Sequence, residues 1–292
     1  MNAAWIFVAP ALGAIALFLF VPVAASLALS FTDFDLYAVA SLANLRFIAL
    51  GNYQALLADP LFWRALRNTF YFAFVGGPLS VAVSLAVALA VNARLARWRP
   101  LYRTLFFLPV VTTLVAVAVV WRYLYHPRVG LVNQLLGAIG VPGVDWLGDP
   151  VWAMPALIVL AVWKGFGFNM VIFVAGLQSI PERLYEAASL DGASGWQAHR
   201  HVTFPQLAPT AFFIAIMTMI GSLQLFAEPY VMTQGGPSHA TLSVVLLMFQ
   251  EGFRYWNMGY AAAIAFVLFA ILLAGTALQL WLRPLEGEGG RS

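Results

Sequence analysis

Long apolar runs separated by short polar islands set the pattern of this chain. Residues 1–32 contain no Asp, Glu, Lys or Arg, and a helix needs only about 20 apolar residues to cross a hydrocarbon core. The first run, about residues 5–30, therefore predicts a membrane span with Pro10 and Pro22 near its ends. Its length and the lack of a basic leader argue against a cleaved signal peptide. Further runs predict spans at about 68–93, 104–124, 151–177, 207–228 and 255–282. Gly76-Gly77-Pro78 marks a kink in the second. Between Pro229 and Gln250 no Asp, Glu, Lys or Arg occurs, but Thr233–His239 is rich in polar and turn residues. What remains, Ala240–Phe249, is too short to cross and suits an interfacial or re-entrant helix. The pattern predicts an all-α integral membrane fold of six transmembrane helices, organised as one transmembrane domain.

The polar islands are not alike. Arg94, Arg97, Arg99 and Arg103 crowd one short connector, which the positive-inside rule assigns to the cytoplasm. Alternation then puts the stretch from Thr32 to Arg67 outside, residues 179–205 inside and both termini inside. Tyr125–Pro150, with its glycines, prolines, Trp146 and Asp149, predicts a folded outer cap. Trp121, Trp152, Trp256 and Trp281 fall near expected span ends, as an aromatic belt would place them.

The island from Ser179 to Pro209 predicts two short helices with a break. Ser179 and Glu182 are spaced as a capping box, with Pro181 in the first turn. Asp191-Gly192 gives a left-handed stop. Ser194 and Gln197 are spaced as a second box, and Pro205 is expected to end the second helix. An element capped this way, facing water between spans, is suited to docking.

Composition narrows the class. Of 292 residues, 62% are hydrophobic and 9% charged, against roughly a quarter charged in soluble domains. A net charge of +3 with scattered arginines gives no nucleic-acid footprint. The absence of cysteine excludes disulfides and thiolate sites. The sole lysine, Lys164, lies inside a span after Trp163, so no phosphate-binding P-loop exists and any ATP hydrolysis belongs to another subunit. His199 and His201 fall on different faces of a helix without a carboxylate to complete a zinc set, so no metal or cofactor is expected. No acid, base and nucleophile converge, which argues against an enzyme. An ion-coupled secondary transporter or channel is the other class considered, but Lys164 and Glu228 supply a poor ion relay.

Candidate solute contacts lie inside the spans. Thr218 and Ser222 are i,i+4 on one helix face, with Gln224 nearby; small polar residues also serve helix packing or bond their own backbone. Gly165-Phe166-Gly167 lacks the third glycine of a dinucleotide fingerprint and reads as a close-packing or solute-facing site. Lys164 sits roughly 20 Å below the outer boundary at about 1.5 Å per residue. At that depth an ammonium should face a polar cavity, or a carboxylate on a partner subunit.

Glu186-Ala187-Ala188, Asp191-Gly192-Ala193, Trp196-Gln197, Val202-Thr203, Pro205 and Pro209 closely resemble the EAA loop of ABC-importer permeases. The departures are His199, where an aromatic is usual, and Phe204, where leucine is usual. Asn52-Tyr53, Phe62-Trp63, Asn68-Thr69, Phe106-Phe107-Leu108-Pro109, Asp145-Trp146-Leu147 and Gly235-Gly236-Pro237 are similar to the sugar-permease branch. Phe253 and Met258-Gly259-Tyr260-Ala261 resemble its maltose/glycerol-3-phosphate-type first subunit. The resemblance implies a permease of the type I importer fold in a bacterial inner membrane. Its implied partners are a second permease, an ABC ATPase homodimer, an extracytoplasmic sugar-binding protein and membrane lipid. It further implies ATPase coupling through Glu186, Ala187, Ala188, Asp191, Gly192, Ala193, Trp196 and Pro205. It carries over sugar contacts at Lys164, Gly165, Phe168, Thr218 and Ser222, with Phe168 able to stack on a sugar ring and Lys164 to meet sugar hydroxyls or an anionic substrate.

Overall fold

The computed structural model describes residues 2–37, 41, 45–93 and 98–281. Arg94 and Arg97 of the arginine-rich connector, and the end of the last expected span at residue 282, lie outside them. Among the described residues the fold is helical, and the only extended pairing is an isolated antiparallel bridge between Thr32 and Phe47. Among the described residues five helices are long and apolar enough to cross a membrane, and a bent pair makes a sixth candidate.

In chain order the helices are α1 (Asn2–Ile15), α2 (Val21–Leu29), α3 (Gly51–Ala58), α4 (Pro60–Tyr71), α5 (Gly77–Asn92), α6 (Arg99–Val111) and α7 (Leu114–Leu124). There follow α8 (Leu131–Ala138), α9 (Ala153–Gln178), α10 (Glu182–Leu190), α11 (Gly195–Ala198), α12 (Phe204–Leu223), α13 (Ala227–Met232), α14 (Val244–Phe249) and α15 (Met258–Trp281). The chain divides into two compact units, one formed by residues up to Leu66 with Val244–Ala274, the other by Arg67–Ser243 with the chain from Gly275 on.

In the first unit the polar stretch after α2 is tied down by its own side chains. Asn52 is buried, and its amide donates to the carbonyls of Ser30 and Thr32 at 2.9 and 2.8 Å. The Tyr53 hydroxyl meets the Ser30 hydroxyl at 2.8 Å. Gly259 brings α15 against the Leu29 and Thr32 carbonyls so closely that a Cβ would collide with the Thr32 oxygen. Tyr260 donates to Asp59 at 3.0 Å. On the exposed surface Arg46 pairs with Asp33 at 2.7 Å, and the Arg46 backbone N–H bond holds the Asp33 carboxyl below its usual range.

The second unit is built around α9, whose buried residues feed two apolar clusters. One joins Leu157, Leu160 and Met154 to Val117, Phe72 and Leu225. The other joins Met170, Phe173 and Leu177 to Ala88, Leu207 and Ile214. The 125–150 loop folds into a small cap around Asn133. Its amide donates to the Pro127 and Val144 carbonyls and accepts from Trp146 Nε1 at 2.8 Å. Tyr125 is buried, which pushes its phenol pKa up, and it donates to the Ala156 carbonyl at 3.0 Å.

Prolines shape the long helices without ending them. Three π-helical turns, Ala16–Phe20, Phe72–Gly76 and His199–Thr203, stand two residues before Pro22, Pro78 and Pro205. A proline ring collides with the carbonyl four residues earlier. In each case that carbonyl, of Phe18, Phe74 or His201, is the middle one of the widened turn, where it can swing aside. Pro205 therefore does not end the second loop helix, contrary to the expectation above, because the path from α11 into α12 widens and continues.

The expected span over 104–124 is also resolved differently. Here α6 and α7 meet at a bend of 96°. Thr112 and Thr113 are extended, and the Thr112 hydroxyl bonds back to the Pro109 carbonyl at 2.6 Å. Two adjacent β-branched hydroxyl residues after a helical proline are poor helix formers. The 207–228 span breaks too, at Gln224–Phe226 between α12 and α13. Buried Ser243 fastens that break by donating to the Leu225 carbonyl at 2.6 Å. The Thr233–His239 turn is held by Asn68, which donates to the His239 and Leu242 carbonyls at 2.9 and 3.0 Å. The helix beyond it starts at Val244, later than Ala240.

Candidate translocation cavity and coupling loop

A cavity of about 520 Å³ opens inside the second unit. Its walls come from the π turn before α5, the start of α7, the middle of α9, the end of α12 and the break leading into α13. Five predicted contacts meet there: Gly165 and Phe168 from α9, Thr218 and Ser222 from α12, and Gln224 from the break. The i,i+4 pair on α12 thus faces open space. Apolar surface from Phe72, Val162, Met217 and Phe226 surrounds these polar groups. A concave, mostly apolar site with a few placed polar groups suits a small solute.

Lys164 is not in the lining. Its ammonium donates to the carbonyls of Thr112 at 2.9 Å and Pro109 at 3.2 Å, with Val110 at 3.5 Å. These are carbonyls that the end of α6 leaves without helical partners. In a bilayer such groups must be satisfied from within the protein, and a helix C-terminus favours a cation. The three donors of Lys164 therefore serve the bend between α6 and α7.

Three polar lining residues were absent from the sequence prediction: Ser80, Asn169 and Glu228. Asn169 is buried and donates to the Thr218 hydroxyl at 3.2 Å, joining α9 to α12 beside the cavity. Its signal was an amide in the middle of a span, five residues after Lys164. Glu228 follows the break in the span.

The two neighbouring glycines of α9 divide the roles that sequence left open. A Cβ on Gly165 would meet nothing within 4 Å, whereas one on Gly167 would collide with the Phe106 carbonyl of α6. Gly165 faces the cavity and Gly167 is the close-packing site.

The candidate coupling loop is held in shape by its own hydrogen bonds. α10 ends in a Schellman arrangement: Gly192 has φ of +74°, its N–H bonds the Ser189 carbonyl at 3.1 Å, and the Ala193 N–H bonds the Ala188 carbonyl at 2.9 Å. The second capping box forms, with Ser194 N–H to Gln197 Oε1 at 2.7 Å and Gln197 N–H to Ser194 Oγ at 3.4 Å. The first does not. Pro181 takes the cap position in extended conformation, and Ser179 instead donates to the Gly176 carbonyl at 2.8 Å. Leu184 and Tyr185 pack on the core, and the Tyr185 hydroxyl meets buried Thr203 at 2.9 Å. His199 Nδ1 lies 3.1 Å from the same Thr203 hydroxyl, and the His199 and Trp196 rings both lie near Phe204. The unusual His199 and Phe204 thus pack together within the loop. Glu186, Ala187, Asp191, Gly192 and Pro205 are exposed, while Ala188 and Ala193 are half-buried. Leu190 and Trp196, 89% and 67% exposed, add large apolar side chains to the loop's exposed residues.

A family model described as "Binding-protein-dependent transport system inner membrane component" matches residues 80–285. The lactose transport system permease protein LacF of Rhizobium radiobacter is 37% identical over 282 residues, covering 95% of this chain and 92% of that one. The trehalose/maltose transport system permease protein MalF of Thermococcus litoralis is 36% identical over 237 residues, covering 80% and 79%. In fold, the chain is similar to one in the crystal structure of a bacterial alginate ABC transporter in complex with alginate pentasaccharide-bound periplasmic protein. The TM-score is 0.78 at 21% identity, with 95% and 92% of the two chains covered.

Proposed function

The chain belongs to the family of inner membrane components of binding-protein-dependent transport systems, a multi-pass permease rather than an ion-coupled carrier, and on that premise we propose how it works. Its cavity is part of the path by which an ATP-driven importer passes a carbohydrate. The supporting observation is the convergence of Gly165, Phe168, Thr218, Ser222 and Gln224 on one cavity from two different helices. Hydroxyl and amide groups beside the Phe168 ring provide what a sugar presents to a site: hydrogen-bonding edges and an apolar face. Relatives named for lactose and for trehalose/maltose transport support the same class.

Energy enters from elsewhere. The chain carries no P-loop lysine, so a separate ABC ATPase pair hydrolyses ATP and docks on the exposed face of α10 and α11. Glu186 and Ala187 form part of that face, the Gly192 turn fixes its shape, and Trp196 and Leu190 give it apolar anchors. A second permease completes the path, and an extracytoplasmic sugar-binding protein loads it from the side of the Asn133 cap. In this orientation both termini are cytoplasmic. No metal or cofactor takes part.

The test is uptake by the assembled transporter in proteoliposomes, screened over neutral, amino and acidic sugars with the cognate binding protein. Uptake is expected to require ATP inside and binding protein outside. Uptake driven by an ion gradient without the ATPase would overturn the reading.

A further inference from the structure

The charge of the cavity is the reverse of what the lone lysine suggests. Lys164 is half-buried one residue before the lining residue Gly165, yet its donors are spent on the carbonyls of Pro109 and Thr112. The carbonyl end of α6 offsets its positive charge locally. Glu228 is the sole ionisable side chain in the cavity wall among the described residues. The Glu228 carboxyl lines the same cavity as Gln224, Ser222 and Asn169.

Resting on the translocation reading above, we infer that Glu228 binds the solute and sets its charge class: the permease passes neutral, hydroxyl-rich sugars and rejects acidic ones. A carboxylate is an acceptor with two oxygens and takes hydrogen bonds from adjacent hydroxyls of a sugar ring. Bonds to a charged acceptor are about twice as strong as neutral ones. The Asn169 amide and the Thr218 and Ser222 hydroxyls supply donors for the ring and bridging oxygens. For a uronate, sulfonate or phosphate the ionised carboxylate is a like charge and opposes entry. A protein using Lys164 to take an anionic sugar would present the opposite arrangement, with the ammonium on the cavity.

The absence of cysteine makes the cavity's charge measurable without knowing the sugar. Gly165→Cys and Gly221→Cys each place a thiol in the wall, where a new Cβ meets nothing within 4 Å. In the assembled transporter, each thiol is reacted with a cationic and an anionic methanethiosulfonate of similar size, and labelling of this chain is read by mass. The ratio of the two rates, divided by that for a free thiol, cancels any shift in thiol ionisation. A ratio about tenfold in favour of the cation is expected, a modest value for one unscreened charge. Glu228→Gln is expected to bring it near one, and Glu228→Asp to keep it. A ratio at or below one in the Glu228 protein overturns the inference even if the glutamine variant fails to assemble, as does a preference that survives Glu228→Gln. Thiols that neither reagent reaches overturn the translocation reading itself. In the uptake screen neutral sugars should dominate, and an acidic sugar as the main solute overturns the assignment of charge class.

Discussion

At the scale of single residues, the site depends on what each side chain finds within a few ångströms. Lys164 was legible as an anomaly, because a charge at mid-membrane needs a partner. Its partner was not legible, since the carbonyls it meets are freed by a bend at Thr112 that the apolar pattern conceals. Lys164→Met should therefore act on the fold before it acts on the solute. The Thr112 carbonyl would lose its donor, which within a bilayer costs about 1–3 kcal/mol, so the melting temperature of the complex should fall by several degrees. Lys164→Arg, which keeps donors, should retain most of it. An unchanged melting temperature with lost uptake would return Lys164 to the solute. The glycine pair gives a sharper contrast. Gly165→Ala should assemble normally, whereas Gly167→Ala must push α6 from α9 and should lower complex yield. Equal yields for the two would refute this division of roles.

At the scale of elements, the sequence predicted best where local chemistry decides. The Gly192 stop and the Ser194–Gln197 box formed because each closes within a few residues. The Thr218–Ser222 pair was visible as a helical repeat. Failures came where the chain had alternatives. Ser179 had its own helix's carbonyl within reach, and Pro205 had a turn able to widen around it. Gly192 allows a clean test, because a Cβ there meets nothing within 4 Å and only the positive φ resists substitution. Gly192→Val should cost about 1–2 kcal/mol locally. That should distort the turn without harming membrane insertion. Purified complexes carrying it should hydrolyse ATP with less uptake per turnover, or lose the ATPase on pull-down. Wild-type uptake would exclude a fixed shape for the loop.

At the scale of the whole molecule, the first span poses the question of partners. Residues Phe7–Leu29 form a crossing helix of which none of the apolar window is buried within the chain. Sequence could show that this helix crosses, but not whether lipid or protein covers it, because both present the same apolar surface. A photo-crosslinker at Phe18, 78% exposed, should yield an adduct with the second permease in the assembled transporter. Lipid adducts alone would assign this face to the bilayer.

The widened turn before Pro205 has a further consequence, in the phase between two ends of one helical path. α11 carries part of the proposed docking face and α12 carries Thr218 and Ser222, and between them the turn takes up one residue beyond α-helical winding. Each residue of an α-helix advances the winding by about 100°. If Pro205→Ala let the turn tighten, the docking face would rotate by that angle against the cavity face while both helices stayed intact. Assembly should then survive while uptake per ATP falls. On the docking reading proposed above, the proline is a key between two sections of a shaft: it fixes the angle at which a push on one end arrives at the other.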